Sequence, residues 1–143
     1  MNNRRKLVVA LGAGLFASPF ASRAQQQGKV WIIGYLSLRA RPDSFDAGIY
    51  GAFRQRLREL GYIEGKNLVI EWRFSGNKPE HLPALAEELI QRKVDVIVAT
   101  SAPATRAAQT ATTTIPIVMS GTGDPVGSGF VKTLARPGGN ITG

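Results

Sequence analysis

The chain has 143 residues, the length of one domain, and 43% of them are hydrophobic, which is enough for a core. It contains no cysteine, so disulfides, thiolate catalysis and cysteine-ligated metal sites are excluded. The net charge of +8 would suit nucleic acid or an anionic membrane. However, four of the 18 basic residues lie before residue 25, where there is no Asp or Glu, and the other charges are scattered. Nucleic-acid binding therefore has no compositional support.

Residues 1–24 have the three parts of an export signal. Basic residues at 4–6 precede a short apolar segment at 7–17, and small residues stand three and one before the expected cut, at Ser22 and Ala24. The apolar segment is shorter than the roughly 20 residues that a membrane-spanning helix needs. We therefore expect a cleavable signal peptide over residues 1–24, used by the Sec or the Tat route. With no cysteine for a lipid anchor, the product is expected to be free in the periplasm, with no membrane anchor.

The first half of the mature chain predicts a strand, a helix and a second strand. Residues 30–36 form a nearly continuous apolar run, the pattern of a strand covered on both faces. Asp43 or Ser44 is a candidate N-cap of the following helix, and Gly61 stands where a left-handed C-cap glycine is favoured. The apolar residues of this helix recur at helical spacing: Phe45, Ile49, Phe53, Leu57 and Leu60. Residues 67–74 alternate in polarity, which predicts a strand nearer the edge of the sheet.

The second half continues the alternation. A helix beginning at Pro79 leads to a short buried strand at 94–99. A further helix, from 100 to about 112, leads to a fourth strand at 115–119. After a Gly-rich loop, a last short helix is predicted to begin at Asp124-Pro125 and to end before Pro137. Residues 138–143 are typical of the start of a segment that crosses to another part of a protein.

Four strands separated by helices predict an α/β fold, a Rossmann-like open parallel sheet flanked by helices on both faces. Right-handed crossovers and short connections predict the strand order 2-1-3-4. In such a sheet, ligands bind outside the carboxyl ends of the strands. Three predicted loops lie there. They hold Ser37 after strand one, Thr100 and Ser101 after strand three, and residues 120–124 after strand four.

Two of these loops suit a small charged ligand. Thr100 and Ser101 place two hydroxyls beside free N–H groups at a helix N-terminus, which favours a carboxylate or another small anion. In the third loop, Thr122 lies among glycines that let backbone approach a ligand, and Asp124 could accept a hydrogen bond from an ammonium group. Together they would suit an amino acid. Each loop also fits an ordinary helix N-cap that needs no ligand, so both interpretations remain open.

The residues do not favour an enzymatic function, because no nucleophile–base pair can be built from them. His81, the only histidine, is predicted to be a surface residue on the side away from the carboxyl ends of the strands. Glu87 and Glu88 are adjacent on a helix and point in different directions. The glycines of 121–129 lack the Lys-Ser/Thr of a phosphate-binding loop. We therefore predict that the chain is not an enzyme and holds no cofactor and no metal.

Several motifs resemble those of the TrpX-type ABC transporter substrate-binding proteins. They are Ile33-Gly34-Tyr35-Leu36-Ser37, the segment 53–68 with Leu60-Gly61-Tyr62 and Glu64-Gly65-Lys66-Asn67-Leu68, the segment 124–131, and the closing Pro137-Gly138-Gly139-Asn140-Ile141-Thr142-Gly143. The resemblance implies a type 1 periplasmic binding protein, in which two Rossmann-like lobes close over a small solute. It also implies that Ser37, Thr100, Ser101 and the loop from Thr122 to Asp124 face the cleft. The implied partners are the membrane permease subunits of an ABC importer.

A protein of two such lobes would have about 300 residues. We therefore expect residues 28–143 to be the N-terminal lobe, with the second lobe missing, and we expect weak or no solute binding by this chain. The last predicted strand would be an exposed edge that favours aggregation. Two alternatives remain, a half-receptor that pairs with another chain and a non-functional remnant. A flavodoxin-like enzyme is disfavoured by the missing phosphate-binding motif.

Overall fold

The computed structural model describes residues 28–143, and the predicted signal peptide lies outside the described residues. Strands and helices alternate along the chain. In order they are β1 (Trp31–Ser37), α1 (Gly48–Glu59), β2 (Leu68–Phe74), a 3-10 turn (Pro79–His81), α2 (Leu82–Gln91), β3 (Val96–Ala99), α3 (Ala102–Ala111), β4 (Ile117–Met119) and β5 (Ile141–Thr142). None of these helices is long and apolar enough to cross a bilayer.

The described strands form one parallel sheet with the order β2-β1-β3-β4-β5. This confirms the predicted α/β fold and the order 2-1-3-4, with β2 at one edge. The expectation that the fourth strand would be the exposed edge is wrong, because β5 pairs with β4. The Asn140 side chain fixes this pairing by donating to the carbonyls of Thr112 (3.3 Å) and Ile115 (2.8 Å). Ile141 then enters the core.

One face of the sheet is covered by α2 and α3, which enclose a cluster of fully buried residues that we call the aliphatic core. It includes Leu36, Leu82, Ala86, Leu89, Ile97, Ala104, Ala108 and Ile117. Packing here is close, since a Cβ at Gly34 would lie 3.0 Å from a methyl of Leu89. The aliphatic core therefore holds the sheet and two helices together.

The other face of β1 and β2 is covered by α1 and by the loop before it. Aromatic side chains from all four segments meet there, and we call them the aromatic cluster. Its members are Tyr35, Phe45, Tyr50, Phe53, Trp72 and Phe74. Parallel pairing places Tyr35 beside Trp72 and Ser37 beside Phe74, so the cluster extends along the strands to their carboxyl ends.

The predicted start of α1 is wrong. The helix begins at Gly48, with Ala47 as a cap that makes no side-chain hydrogen bond, so neither Asp43 nor Ser44 caps it. Ser44 instead accepts from the N–H of Asp46 within the loop (3.1 Å). Gly48 has a φ of 61°, a left-handed conformation that delays the helix by one turn. The predicted C-cap is confirmed by the φ of 90° at Gly61.

The predicted helix after Asp124 is also wrong, since residues 125–129 make only turns. The Ser128 N–H bonds back to Asp124, but the N–H of Phe130 reaches Pro125, five residues back, and closes the turn. Gly129, at a φ of 70°, ends the helical direction after a single turn. Phe130 then enters the aliphatic core.

Candidate ligand site at the carboxyl edge of the sheet

The structure places all five predicted site residues at one edge of the sheet. Ser37 ends β1, Thr100 and Ser101 follow β3, and Thr122 and Asp124 follow β4. Because β1, β3 and β4 are consecutive in a parallel sheet, these loops are neighbours. Their proximity agrees with the predicted ligand site, but each of these side chains also contacts another group of the protein.

The first two hydroxyls shape the loops that carry them. The Ser37 oxygen accepts from the N–H of Arg39 (3.3 Å), and the Thr100 hydroxyl donates to the carbonyl of Leu36 (3.3 Å). Ser37 is only 1% exposed, so a ligand can reach it only if the following loop moves. Thr100 is half-buried and keeps its oxygen lone pairs for a ligand donor.

Ser101 is the N-cap of α3. Its hydroxyl oxygen accepts from the N–H of Ala104 (3.2 Å), and its carbonyl accepts from both the N–H and the hydroxyl of Thr105 (2.9 Å each). The Ser101 hydroxyl therefore acts as an ordinary N-cap. Pro103 has no N–H. In the first turn of α3 the N–H of Ala102 remains available to an anion.

The loop after β4 is held by weak and local contacts. The Thr122 hydroxyl lies 3.7 Å from the sulfur of Met119, and one carboxylate oxygen of Asp124 accepts from the N–H of Gly127 (2.8 Å). A Cβ at Gly127 would lie 2.1 Å from the other carboxylate oxygen, so a larger residue there would displace the Asp124 side chain from this bond. Asp124 is exposed and keeps acceptor capacity for an ammonium group.

The convergence of the aromatic residues towards this edge was not predicted from the sequence. Tyr35 connects the aromatic cluster to the polar loops. Burial raises the pKa of Tyr35, and the nearby Tyr50 raises it further, whereas the Thr100 side chain and the charge of Arg39 lower it. The phenol of Tyr35 therefore lies within electrostatic range of both polar groups. The pattern was detectable, since Tyr35, Trp72 and Phe74 share one face of adjacent strands.

The remaining candidates add no chemistry to the edge. Contrary to expectation, His81 lies in the 3-10 turn that follows β2, on the carboxyl side of the sheet, although it is exposed as predicted. Within residues 28–143, no three or more His, Asp or Glu side chains are grouped so that they would hold a metal ion.

An open parallel sheet of order 2-1-3-4-5, flanked by helices, is the architecture of a lobe of the type 1 periplasmic binding protein fold. Residues 40–143 match the family model of ABC transporter substrate binding proteins, and the chain belongs to that family. This is a family of binding proteins, which confirms the prediction that the chain is not an enzyme.

Three relatives show what the chain is similar to. A tyrosine-binding protein of Clostridioides difficile (strain R20291) is 38% identical over 91 residues, 64% of this chain and 26% of that protein. The ligand-free, open structure of a Clostridium difficile substrate-binding protein with adhesive properties is 35% identical, with a TM-score of 0.70 over 78% of this chain and 37% of that one. The ABC domain of Streptococcus pneumonia in complex with L-Trp is 30% identical, with a TM-score of 0.71 over 80% and 38% of the respective chains.

The chain thus spans 26% of the length of the curated relative and 37% to 38% of the two solved chains. The matched part is one lobe-sized unit of longer proteins.

Proposed function

We propose that this chain is the first lobe of the periplasmic solute-binding component of an ABC importer, and that its ligand is an aromatic amino acid. The observation that carries the proposal is Tyr35, which joins the aromatic cluster to the polar loop at Thr100. A ligand with both a ring and charged ends needs both kinds of surface at one edge.

Each end of such a ligand has a candidate partner. The carboxylate suits the free N–H of Ala102 at the positive end of α3. The Thr100 hydroxyl donates its hydrogen to Leu36, so its oxygen suits the ammonium group as an acceptor. The ammonium group also suits Asp124. The aromatic ring of the ligand could pack against Phe45 and Phe74, which are half-buried, since aromatic pairs prefer tilted or edge-to-face contacts.

The relatives support this ligand class, since one is named for tyrosine and another was solved with L-Trp. The proposal also includes three expectations about the cellular role of the protein. They are periplasmic location, export by Sec or Tat through the signal at residues 1–24, and the permease subunits of an importer as partners. A second lobe would supply the opposite wall of the cleft. One lobe alone encloses a ligand poorly, so we expect a Kd on the order of 1 mM for this chain.

Isothermal titration calorimetry of the 143-residue chain tests the proposal. L-Tryptophan and L-phenylalanine should bind more tightly than L-glutamate, and Thr100→Ala should weaken them about fivefold, the effect of one lost hydrogen bond. Thr113→Ala is the matched control, because Thr113 is exposed between α3 and β4 at the opposite edge. Equal binding of all three solutes, or equal effects of both substitutions, would contradict the proposal.

One observation favours a second candidate function, a half-receptor completed by another polypeptide. Val118 lies on the same side of the sheet as α1, in register with Val98, and is 37% exposed despite its place in the inner strand β4. An apolar side chain at such a place suits a covering segment. Sedimentation of the chain mixed with a second-lobe polypeptide would reveal a complex if this alternative holds, and two separate species if it does not.

A further inference from the structure

The loop between β1 and α1 carries one member of the aromatic cluster. The ring of Phe45 lies 4.6 Å from that of Trp72, at 37° to it, and 5.9 Å from those of Tyr50 and Phe74. Trp72 and Phe74 belong to the end of β2. Phe45 therefore covers the aromatic cluster where it approaches the carboxyl edge.

Few bonds hold this loop in place. Among the described residues, the hydrogen bonds that tie residues 40–46 to another element all come from Arg54 in α1. One Arg54 nitrogen donates to the carbonyl of Phe45 (3.4 Å) and to the carboxylate of Asp46 (2.7 Å). Its Nε donates to Glu64 (2.5 Å), in the segment that leads from α1 to β2. One guanidinium thus joins the loop, the helix and the following segment.

The same helix face leaves room for the loop. A Cβ at Gly51 would lie 2.5 Å from the carbonyl oxygen of Asp46, so only glycine allows the backbone to approach this closely. Gly51 and Arg54 are three residues apart and therefore share one face of α1. These two residues therefore form the surface of α1 that contacts the loop.

The geometry of Arg54 separates it from an ordinary surface ion pair, which contributes little. Its side chain is 26% exposed, and Glu64 holds the Nε of the guanidinium while Nη1 bonds to the loop. The hydrogen bond to Glu64 also raises the pKa of Arg54, so it remains charged. Lysine would keep the charge but lacks the planar fork of donors that bonds to the loop and to Glu64 at once.

We propose that Arg54 is a positioning residue that holds Phe45 over the aromatic cluster and thereby slows the escape of an aromatic ligand. Its effect on the ligand rests on the proposed function. Its effect on the loop does not, because the loop can be observed without ligand.

We call the contacts of Arg54 with the loop the clamp. Limited trypsin digestion of the 143-residue chain tests it directly. The exposed Arg39-Ala40 bond precedes the loop, and cleavage there requires the loop to open. Arg54→Gln should raise the cleavage rate after Arg39 about tenfold, the effect of losing charge-assisted hydrogen bonds, and Arg54→Lys should raise it nearly as much. Arg58→Gln, an exposed position on the same helix, is the control and should match the wild type.

A milder variant guards against general unfolding. Asp46→Asn changes an exposed side chain and weakens one of the Arg54 contacts, so it should raise cleavage by a smaller factor at an unchanged urea midpoint. Nuclear magnetic resonance line-shape analysis during an L-tryptophan titration should then show faster dissociation from Arg54→Gln than from Arg58→Gln. Wild-type cleavage of Arg54→Gln would overturn the clamp. Faster cleavage with no binding of aromatic amino acids by the wild type would support the clamp and reject the proposed function.

Discussion

The two faces of the sheet are built differently. Under α2 and α3, the aliphatic core contains residues with no exposed surface, such as Leu89 and Ile97. On the α1 side, four rings of the aromatic cluster remain partly exposed, and one of them, Phe45, is held by a loop. We infer that one face mainly stabilises the fold, whereas the other keeps apolar surface accessible at the carboxyl edge.

The largest effect should come from the aliphatic core. Leu89→Ala removes a fully buried side chain that contacts Gly34, and we expect a loss of about 2–5 kcal/mol in the free energy of unfolding from lost burial and the remaining cavity. Urea unfolding followed by circular dichroism measures it. Leu60→Ala, at a residue 58% exposed, is the control and should change stability by less than about 0.5 kcal/mol.

The next effect concerns the seam between β1 and β3, which both faces share. The Asp95 carboxylate accepts from the N–H of Ile32 (2.8 Å) and pairs with Lys29 (2.8 Å). Asp95→Ala would leave that N–H without its acceptor, at an expected cost of about 1–3 kcal/mol. Urea midpoints at neutral pH, compared with those of Glu80→Ala at an exposed position, check this.

The same residue predicts an acid-dependent change. The hydrogen bond from Lys29 lowers the pKa of Asp95 below 3.8, and the bond from Ile32 adds to this although burial opposes it. The stabilisation is therefore present above pH 3.8 and is lost as pH falls through the lowered pKa. Asp95→Asn, which removes the charge, should be less stable than the wild type at pH 6, and the gap should close towards pH 2. A gap that persists in acid would contradict the assignment.

On the aromatic side, we expect a smaller loss of stability. Phe45→Ala removes a half-buried ring from a loop and should cost about 1 kcal/mol or less, because little area leaves the interior. The near-ultraviolet circular dichroism of the neighbouring Trp72 should nevertheless change. A loss as large as that of Leu89→Ala would show that the two faces contribute equally to stability.

The smallest effect is expected from Tyr35→Phe, which keeps the ring and removes the ionisable group. Because burial raises the pKa of Tyr35 above 10.0, its contribution is complete below that pH and is lost as pH rises through the raised value. The variant should lose less stability than the wild type between neutral pH and pH 11. Tyr62→Phe, at an exposed ring, should follow the wild type.

The strands and their order could be predicted from sequence because apolar periodicity and crossover handedness determine them. The start of α1 could not, since a positive φ at Gly48 depends on where the loop must go. The single turn after Asp124 likewise depends on Phe130 reaching the aliphatic core. These are tertiary effects that local patterns do not contain.

The candidate site was predictable in position but not in detail. Strand ends indicated Thr100 and Ser101, yet only the structure shows that the Ser101 hydroxyl caps α3 and that Ala102 keeps a free N–H. The aromatic contribution depends on the register of β1 with β2, which places Tyr35 beside Trp72. The role of Arg54 could not be predicted from local patterns, because its partners Phe45, Asp46 and Glu64 all lie outside its helix.

The proposed function requires an aromatic amino acid site at the carboxyl edge of the sheet. The most direct measurement is a nuclear magnetic resonance titration of the isotope-labelled 143-residue chain with L-tryptophan, using L-glutamate as the control solute. We expect amide shifts at residues 38–46, 100–104 and 122–127, with none at 92–95 or 112–116 on the opposite edge. Shifts confined to the opposite edge, or the same response to both solutes, would contradict the proposed function.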